Sequence, residues 1–306
     1  MPEADQFAQV VDEIAERVRR RLQAIQVGHQ QPCTAKKAPE VAEPAGVYEP
    51  ECFPTCDACP SIDRCATVQA VRLGASRISP DSVRNSRDIA PYIDHTLLRP
   101  DATREEVVKL ATEALEHGFA TVCVSSANVA TAARVLAGSK TVPIAVVGFP
   151  LGAALPSAKA FEAREAVRCG AREIDMVMNI GAIKAKEYEL VLKDIAGVVQ
   201  AVRPYPVKVI LETSQLSNEE KAIGSALAKA AGAAFVKTST GFGGGGATVE
   251  DVALMRRVVG EDVGVKASGG IRSTEDAMRM IAAGANRIGA SASVAIVGGQ
   301  KSSGGY

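Results

Sequence analysis

The chain has 306 residues, 47% of them hydrophobic and 23% charged, and its 35 basic residues balance 35 acidic ones. A formal charge of zero gives no broad field for nucleic acid or an anionic membrane, so we expect neither partner and only local anion recognition. The sequence contains no apolar run long enough to cross a bilayer, and its acidic N-terminus lacks the apolar stretch of a secretory signal. We therefore expect a cytoplasmic protein whose seven cysteines are thiols or metal ligands rather than a disulfide framework.

Residues 1–28 have the pattern of an amphipathic helix. Apolar residues recur at three- and four-residue steps from Phe7 to Ile25, and the other face carries arginine and glutamate. A helix on a polar linker is expected to bury its apolar face on a partner. The layout resembles the encapsulation peptides that target enzymes into bacterial microcompartments, which implies a shell protein as the partner. The alternatives are docking on the rest of the chain and self-association.

Residues 29–85 combine that linker, rich in Pro, Ala, Glu and Lys, with a cysteine-rich segment. Four closely spaced thiols follow the pattern C-x₃-C-x₂-C-x₅-C: Cys52, Cys56, Cys59 and Cys65. Four thiolates at such spacing suit a zinc ion or an iron–sulfur cluster, which would take no part in catalysis. The alternative is a set of reduced thiols without a metal.

From residue 86 onward, short apolar runs alternate with amphipathic stretches. The eight runs are YIDHTLL, TVCVS, PIAVVGF, EIDMVMN, VKVILET, FVKTST, GVKASG and RIGAS. They are β-branched and nearly continuous, as strands buried on both faces should be, and helical patterns such as Arg104–His117 and Asn218–Ala231 separate them. Suitable N-caps precede three of these helices: Thr103, Ser217, and Ser273 or Thr274. The alternation predicts an α/β fold, a (β/α)₈ TIM barrel over residues 86–306, with a doubly wound open sheet as the competing fold.

Five charged residues stand near the C-terminal ends of these predicted strands, where a barrel interior should hold Val, Ile and Leu. They are Asp94, Asp175, Glu212, Lys237 and Lys266. A charge inside a buried strand is costly unless it is paired or takes part in function. Because barrel active sites form at this end, five such residues on one face predict a catalytic site.

Lys237 and Lys266 lie on neighbouring predicted strands, which are roughly 4.8 Å apart. Two ammonium groups at that range disfavour double protonation, and burial adds to the effect. Lowering a lysine pKa from about 10.4 to near 7 takes only ~4–5 kcal/mol, and the neutral amine is a nucleophile for a carbonyl carbon. Asp175 would face the same cavity and exchange protons with a bound hydroxyl. The alternative is that both lysines reach solvent or pair with Asp175 and Glu212.

Three glycine-bearing turns follow the sixth, seventh and eighth predicted strands: Thr238–Thr248, Ser268–Ser273 and Ile288–Ser293. Glycine lets backbone N–H groups approach an anion, and each turn opens a helix whose N-terminus favours negative charge. Barrels often bind phosphate at this position. The turns therefore predict a phosphate site, with ordinary tight turns as the alternative.

From Tyr92 to the C-terminus, these stretches together resemble the class I deoxyribose-phosphate aldolases. The matching stretches, in chain order, are YIDHTLL, GFPLG, EIDMVMNIGA, VKVILET, FVKTSTGFGGGGAT, VKASGGIR and RIGAS. The resemblance implies reversible cleavage of 2-deoxy-D-ribose 5-phosphate to glyceraldehyde 3-phosphate and acetaldehyde, with no cofactor for catalysis. A homo-oligomer is also expected. The chain has Ser125 and Ser126 where many members of the family carry an Asn-Pro pair, and Phe242 where some members carry a lysine.

The resemblance also implies roles for individual residues. Lys237 would form the Schiff base, Lys266 would perturb it and join the proton relay, and Asp175 would be the relay carboxylate. Substrate and phosphate contacts would come from Asp94, Thr96, Thr238, Gly241, Gly269, Gly270, Gly289 and Ser291. Tyr306 ends a Gly- and Ser-rich tail and would assist proton transfer at the enamine carbon, with a frayed terminus as the alternative.

Two other functions stay open at this point. One is a redox or scaffold protein that carries the cysteine cluster on a barrel without catalysis, and the presence of Lys237, Lys266 and Asp175 argues against it. The other is a Schiff-base lyase that acts on a different phosphorylated aldehyde.

Overall fold

Eight parallel strands, hydrogen-bonded in chain order, close into a barrel at the centre of the molecule. The computed structural model describes Val83 and residues 85–300. The strands are β1 (Ile93–Leu97), β2 (Thr121–Ser125), β3 (Val142–Val147), β4 (Glu173–Val177), β5 (Val207–Ile210), β6 (Phe235–Lys237), β7 (Gly264–Ser268) and β8 (Arg287–Ala290). β1 pairs with β8 through Asp94 and Gly289, which closes the sheet. The predicted TIM barrel is therefore confirmed, and the doubly wound open sheet is wrong.

Helices connect the successive strands and cover the outside of the barrel. The α-helices are α1 (Arg104–His117), α2 (Val129–Val135), α3 (Pro156–Arg168), α4 (Ile180–Lys184), α5 (Tyr188–Ala201), α6 (Asn218–Ala230), α7 (Val249–Val259), α8 (Thr274–Ala282) and α9 (Ser293–Val297). Short 3₁₀ helices span Ser86–Tyr92, Ser126–Asn128 and Thr213–Gln215. None of the helices in the described part of the chain has the length and apolar character needed to span a bilayer.

Side-chain caps explain where three of these helices begin. The Thr103 hydroxyl accepts from the backbone N–H of Glu106, and the Glu106 carboxylate accepts from the backbone N–H of Thr103. Ser217 forms the same reciprocal box at the start of α6. Ser273, rather than Thr274, caps α8. Each cap satisfies backbone N–H groups that the first helical turn leaves without a partner.

Alternation along the strands separates an apolar outer surface from a charged interior. Ile174 and Met176 of β4 are fully buried in the main apolar cluster. Asp175, between them, points into the barrel and contacts lysines of three other strands. Lys266 of β7 alternates with apolar neighbours in the same way. The hydrophobic core therefore lies between sheet and helices, while the barrel interior holds ionisable groups.

Several sequence predictions fall outside the described residues. They are the helix over residues 1–28, the cysteine-rich segment with its proposed ligands Cys52, Cys56, Cys59 and Cys65, and the terminal Tyr306. These stay predictions.

Candidate active site

Lys237 and Lys266 lie side by side in the barrel interior. They are register partners on β6 and β7. Their amino nitrogens reach the same carboxylate oxygen, Asp175 Oδ2, at 2.9 Å and 2.7 Å. Lys237 is 2% exposed, and Lys266 and Asp175 are completely buried. Neither lysine reaches solvent, and both pair with Asp175.

The surroundings of the two lysines push their protonation in opposite directions. Burial is the largest cause that lowers the pKa of Lys237; the charge of Lys266 lowers it further, and Asp175 opposes both. Burial alone would also lower the pKa of Lys266, but Asp175 and Asp94 outweigh it and raise that pKa above its ordinary value. The barrel therefore holds one amine inclined to be neutral beside one held as an ammonium ion. For Lys237 itself, burial lowers the pKa more than the neighbouring cation does, whereas the sequence analysis had put the cation first.

Asp175 is a carboxylate shared by three amines. Besides the two lysines at Oδ2, Lys208 donates to its Oδ1 at 3.1 Å. Burial would raise the pKa of Asp175, but the three lysines hold it well below the ordinary value of 3.8. The group is therefore an ionised carboxylate across the pH range in which proteins work.

Asp94 stands behind Lys266. Its carboxylate lies 2.5 Å from Lys266 Nζ and accepts hydrogen bonds from Arg287 at 2.8 Å and from the Thr121 hydroxyl at 2.7 Å. These contacts occupy the carboxylate of a completely buried residue. Thr96, two residues along β1, lines the cavity described next. Asp94 thus supports Lys266, and Thr96 faces the space where a substrate would bind.

A cavity of ≈ 280 Å³ opens at the C-terminal ends of β1, β6, β7 and β8. Its lining comprises Thr96, Leu98, Lys237, Thr240, Gly241, Gly244, Gly245, Gly246, Ser268, Gly269, Gly270, Ile271, Arg272, Gly289, Ala290 and Ser291. We call its three turns, residues 240–246, 268–272 and 289–291, the glycine cradle. Lys237 joins this cradle to the buried lysines and carboxylates. Of the predicted phosphate contacts, Gly241, Gly269, Gly270, Gly289 and Ser291 all lie in the lining.

A side chain would be crowded at several glycines of the cradle, and two of them show how its turns are packed. A Cβ atom at Gly246 would lie 2.4 Å from the carbonyl oxygen of Gly269, so the first and second turns are in backbone contact. A Cβ atom at Gly289 would lie 2.9 Å from Lys266 Cε and 2.9 Å from Ser268 Cβ. Glycine at 289 therefore lets Lys266 pass beneath the third turn.

Thr238 and Glu212 hold the backbone around the cradle. The buried Thr238 hydroxyl donates to the carbonyl of Ser268 at 2.9 Å and accepts from the Ser268 N–H at 3.1 Å. Glu212 has φ +58°, in the left-handed region, and its carboxylate accepts from the N–H of Thr240 at 3.2 Å and from the Thr240 hydroxyl. Glu212 therefore holds the first cradle turn, and the alternative that it pairs with a catalytic lysine is wrong.

Three charged residues of the barrel interior escaped the sequence analysis. Lys208, Glu173 and Arg287 are 0%, 8% and 7% exposed. Lys208 is the register partner of Asp175, and Glu173 lies two residues before Asp175 on β4. The signal was present in the sequence, because all three are charges inside otherwise apolar strands. They were missed because they lie toward the N-terminal ends of their strands, away from the C-terminal ends that the sequence analysis considered.

Arg272 is a second omission, and it lies within a turn that the sequence analysis had identified. It is an exposed residue of the cavity lining, next to Gly270 and Ile271. A guanidinium group at the mouth of a glycine-rich turn is suited to a phosphate dianion.

The site contains no evident metal centre. No group of three or more His, Cys, Asp or Glu side chains with the arrangement of a metal site occurs between residues 85 and 300. Lys237 lines the cavity, and the ionisable groups packed beside it are amines and carboxylates in direct contact.

The chain matches the family model of DeoC/LacD family aldolases over residues 89–299. It is 58% identical over 223 residues to a deoxyribose-phosphate aldolase of Halalkalibacterium halodurans, covering 72% of this chain and 100% of that protein. It is 54% identical over 219 residues to the one of Macrococcus caseolyticus, with 72% and 100% coverage. Among solved structures, the tetrameric deoxyribose phosphate aldolase of Aeropyrum pernix is similar at a TM-score of 0.67 and 32% identity, covering 74% of this chain and 95% of that one.

Proposed function

The chain belongs to the DeoC/LacD family of aldolases, and from this premise we propose that it cleaves 2-deoxy-D-ribose 5-phosphate reversibly to glyceraldehyde 3-phosphate and acetaldehyde. The observation that carries the proposal is Lys237: a buried amine with a lowered pKa, on the floor of a glycine-lined cavity, 2.9 Å from a carboxylate. A neutral amine in such a place is a nucleophile for the aldehyde carbon of an open-chain sugar. The buried ion pairs argue against a barrel without catalysis, since burying that many charges is costly for a scaffold.

The first stage forms the Schiff base. The Lys237 nitrogen adds to C1 of the sugar, and loss of the C1 oxygen as water leaves an iminium ion. Lys266, whose pKa is raised, is the ammonium ion beside this reaction and stabilises negative charge on the departing oxygen. The positive iminium nitrogen then accepts the electrons of the bond that breaks.

The second stage cleaves the bond between C2 and C3. The C3 hydroxyl proton leaves, its oxygen becomes the aldehyde of glyceraldehyde 3-phosphate, and the bonding electrons form an enamine on C2. Asp175 orients the hydroxyl or an intervening water and passes the proton on. A carboxylate with so low a pKa is a weak base, so it relays the proton rather than storing it. Protonation of C2 and addition of water then release acetaldehyde and the free amine.

The phosphate would lie in the glycine cradle. Backbone N–H groups of Gly269, Gly270 and Ser291, with the N-terminus of α8, favour an anion there. Arg272 would add a cation at the rim. Tyr306, outside the described residues, is proposed as the group that delivers the proton to the enamine carbon.

Trapping the covalent intermediate tests the proposal. The full-length protein is incubated with deoxyribose 5-phosphate, reduced with borohydride and mapped by mass spectrometry, while acetaldehyde release is measured in parallel. We expect one adduct, on Lys237, and its loss in Lys237→Arg. The exposed Lys109 provides the matched control, because Lys109→Arg should trap and turn over like the wild type.

Two results would overturn the assignment. An adduct on another lysine would assign the nucleophile to that lysine instead of Lys237. The absence of both adduct and acetaldehyde would reject the aldolase activity. Turnover of longer phosphorylated aldehydes in preference to deoxyribose 5-phosphate would favour the alternative lyase.

For the N-terminal third, the sequence supports two further proposals. We propose that Cys52, Cys56, Cys59 and Cys65 bind zinc or an iron–sulfur cluster. Visible absorbance and metal analysis of anaerobically purified protein distinguish the two.

We propose that residues 1–28 bind a microcompartment shell protein. The test is co-purification: shell proteins should co-purify with the full chain but not with a chain that lacks residues 1–28. A homo-oligomer, as in the tetrameric Aeropyrum pernix relative, is the proposed assembly, and light scattering measures it.

A further inference from the structure

Six buried charged side chains form a closed ring of ion pairs inside the barrel. In ring order, alternating acid and base, they are Asp175, Lys266, Asp94, Arg287, Glu173 and Lys208. We call this set the charge ring. None of the six lines the cavity, and the ring contacts it through Lys237, which lines the cavity and pairs with Asp175.

The half of the ring nearer to the cavity connects Asp175 to Asp94. Lys266 Nζ lies 2.7 Å from Asp175 Oδ2 and 2.5 Å from Asp94 Oδ2. Arg287 Nη1 then lies 2.8 Å from Asp94 Oδ1. Each contact is direct, with residues no more than 7% exposed.

The other half returns to Asp175 through residues that the mechanism does not use. Arg287 Nη2 lies 3.6 Å from Glu173 Oε1, Glu173 contacts Lys208 directly, and Lys208 Nζ lies 3.1 Å from Asp175 Oδ1. The Phe235 ring packs against both cations of this half, 5.7 Å from Lys208 Nζ and 5.6 Å from the Arg287 guanidinium.

The ring balances its own charge without Lys237. Three carboxylates face three cations, so the ionised ring has a net charge of zero. Lys237 is a fourth base, attached to the ring only through Asp175 Oδ2. A proton on Lys237 would therefore give the ring and Lys237 together a net charge of +1 in a buried site.

We propose that Lys208 and Glu173 are positioning residues that set the charge of Lys237 through Asp175, by keeping the ring neutral. The proposal rests on the Schiff-base function of Lys237 given above. Its physical basis is the low effective dielectric of the interior, where one added or removed unit charge changes a neighbour's protonation strongly. The directions of the pKa shifts agree with it: those of Lys208, Lys266 and Arg287 are raised, and that of Lys237 is lowered.

One further titratable group influences Lys237 from a different strand. Cys123 on β2 is completely buried, and burial raises the pKa of its thiol. The thiol is therefore neutral at neutral pH and does not alter the charge count. The remaining charged neighbours are ring members on β1, β4, β5, β7 and β8.

Two near-isosteric substitutions with opposite charge effects test the proposal. Lys208→Met removes a cation and leaves the ring with excess negative charge, which favours protonation of Lys237. Glu173→Gln removes an anion and disfavours that protonation, while Lys208 keeps Asp175 as its partner. The measurement is the yield of borohydride-trapped adduct, and kcat/KM with deoxyribose 5-phosphate, as functions of pH in the full-length protein.

The expected result is a pair of shifts with opposite signs. Activity rises with pH as Lys237 loses its proton, so the acid limb of the profile reports its charge state. We expect this limb to move up by about one pH unit or more in Lys208→Met and down by a similar amount in Glu173→Gln. The double variant restores neutrality and should return the limb to the wild-type position. The matched controls are Lys184→Met and Glu220→Gln, which break a surface ion pair of 3.3 Å and should leave the limb unmoved.

A merely structural role predicts a different result, namely lower activity at every pH with the limb unmoved. Limbs that stay in place, move in the same direction, or fail to return in the double variant overturn the proposal. If Lys208→Met does not fold, Glu173→Gln decides alone, because an unmoved or raised limb overturns it. If the wild type is trapped normally on Lys237 but the acid limbs of the variants' pH profiles do not move, this inference is rejected and the aldolase function stands. If the wild type is not trapped at all, the aldolase function itself is rejected.

Discussion

The charge ring and the glycine cradle meet at one cavity but are built by opposite means. The ring consists of long charged side chains, each held by two partners, in residues no more than 8% exposed. The cradle consists mainly of backbone, glycines and small side chains, and it is open to solvent at Arg272. Under the proposed function, the difference means that the reaction centre depends on buried charge balance, whereas phosphate recognition depends on backbone shape. Disturbing the ring should therefore affect both activity and stability, and disturbing the cradle should mainly affect substrate affinity.

Asp175→Asn should have the largest effect, because it leaves three buried amines without their shared counter-charge. We expect kcat/KM to fall by about 10³-fold or more and the free energy of unfolding to fall by roughly 3–5 kcal/mol. Steady-state kinetics and denaturant unfolding measure the two losses. Asp101→Asn, which breaks an exposed pair with Arg99, should change stability by less than about 0.5 kcal/mol. A stable, active Asp175→Asn would refute the role of shared charge in the ring.

Gly289→Ala tests the contact between the two regions. The added methyl would lie 2.9 Å from Lys266 Cε, so the lysine or the third cradle turn must move. We expect kcat to fall by about 10²-fold, because a displacement of that kind misaligns the reacting groups. We also expect the free energy of unfolding to fall by about 1–3 kcal/mol, because the site is overpacked. Gly197→Ala is the matched control, because a Cβ atom there meets nothing within 4 Å. Wild-type kcat in Gly289→Ala would show that the position of Lys266 is not critical.

Arg272→Ala tests the cradle alone. Loss of the guanidinium should raise KM for deoxyribose 5-phosphate about tenfold, corresponding to one charge-assisted hydrogen bond. Activity with unphosphorylated 2-deoxyribose should stay the same, since no phosphate is present to bind. Arg279→Ala, which removes an exposed arginine paired with Asp276, serves as the control. Equal losses with both substrates would contradict a phosphate role.

Thr103→Ala should have the smallest effect, because it lies outside both regions. Removing this N-cap should lower the free energy of unfolding by about 1 kcal/mol and leave kcat/KM unchanged. Thr112→Ala in the middle of α1 is the matched control and should change stability by less than about 0.5 kcal/mol. A loss of activity in Thr103→Ala would mean that the start of α1 affects the reaction centre, which would contradict the prediction that only the ring and the cradle determine activity.

Most of the barrel was predictable because its signals are local. Each strand is a short apolar run, and caps such as Thr103 and Ser217 mark the helix starts within four residues. The proximity of Lys237 and Lys266 followed from consecutive strands of a parallel sheet. The glycine turns followed from composition at the same strand ends.

The partners of the interior charges were not predictable in the same way. Glu212 was grouped with the lysines among the charges at the strand ends, and pairing with them was left as an alternative, but its backbone is left-handed and its carboxylate contacts Thr240. Asp94 was predicted among the substrate contacts, and the structure shows its carboxylate in contact with Lys266 and Arg287, so that a contact with substrate stays a prediction. Each of these contacts joins residues far apart in the chain, and no local pattern encodes it.

The sequence by itself determined the eight strands, the helices between them and the identity of the groups at the strand ends. The reason is that hydrophobic periodicity and helix capping both involve residues only a few positions apart in the chain. Only the tertiary structure decided which carboxylate each cation shares, because closure of the barrel brings β1, β4, β5, β7 and β8 into one ring. The charge of Lys237 belongs to this second class, since it depends on burial and on neighbours from other strands, such as Asp175, 62 residues away in the chain.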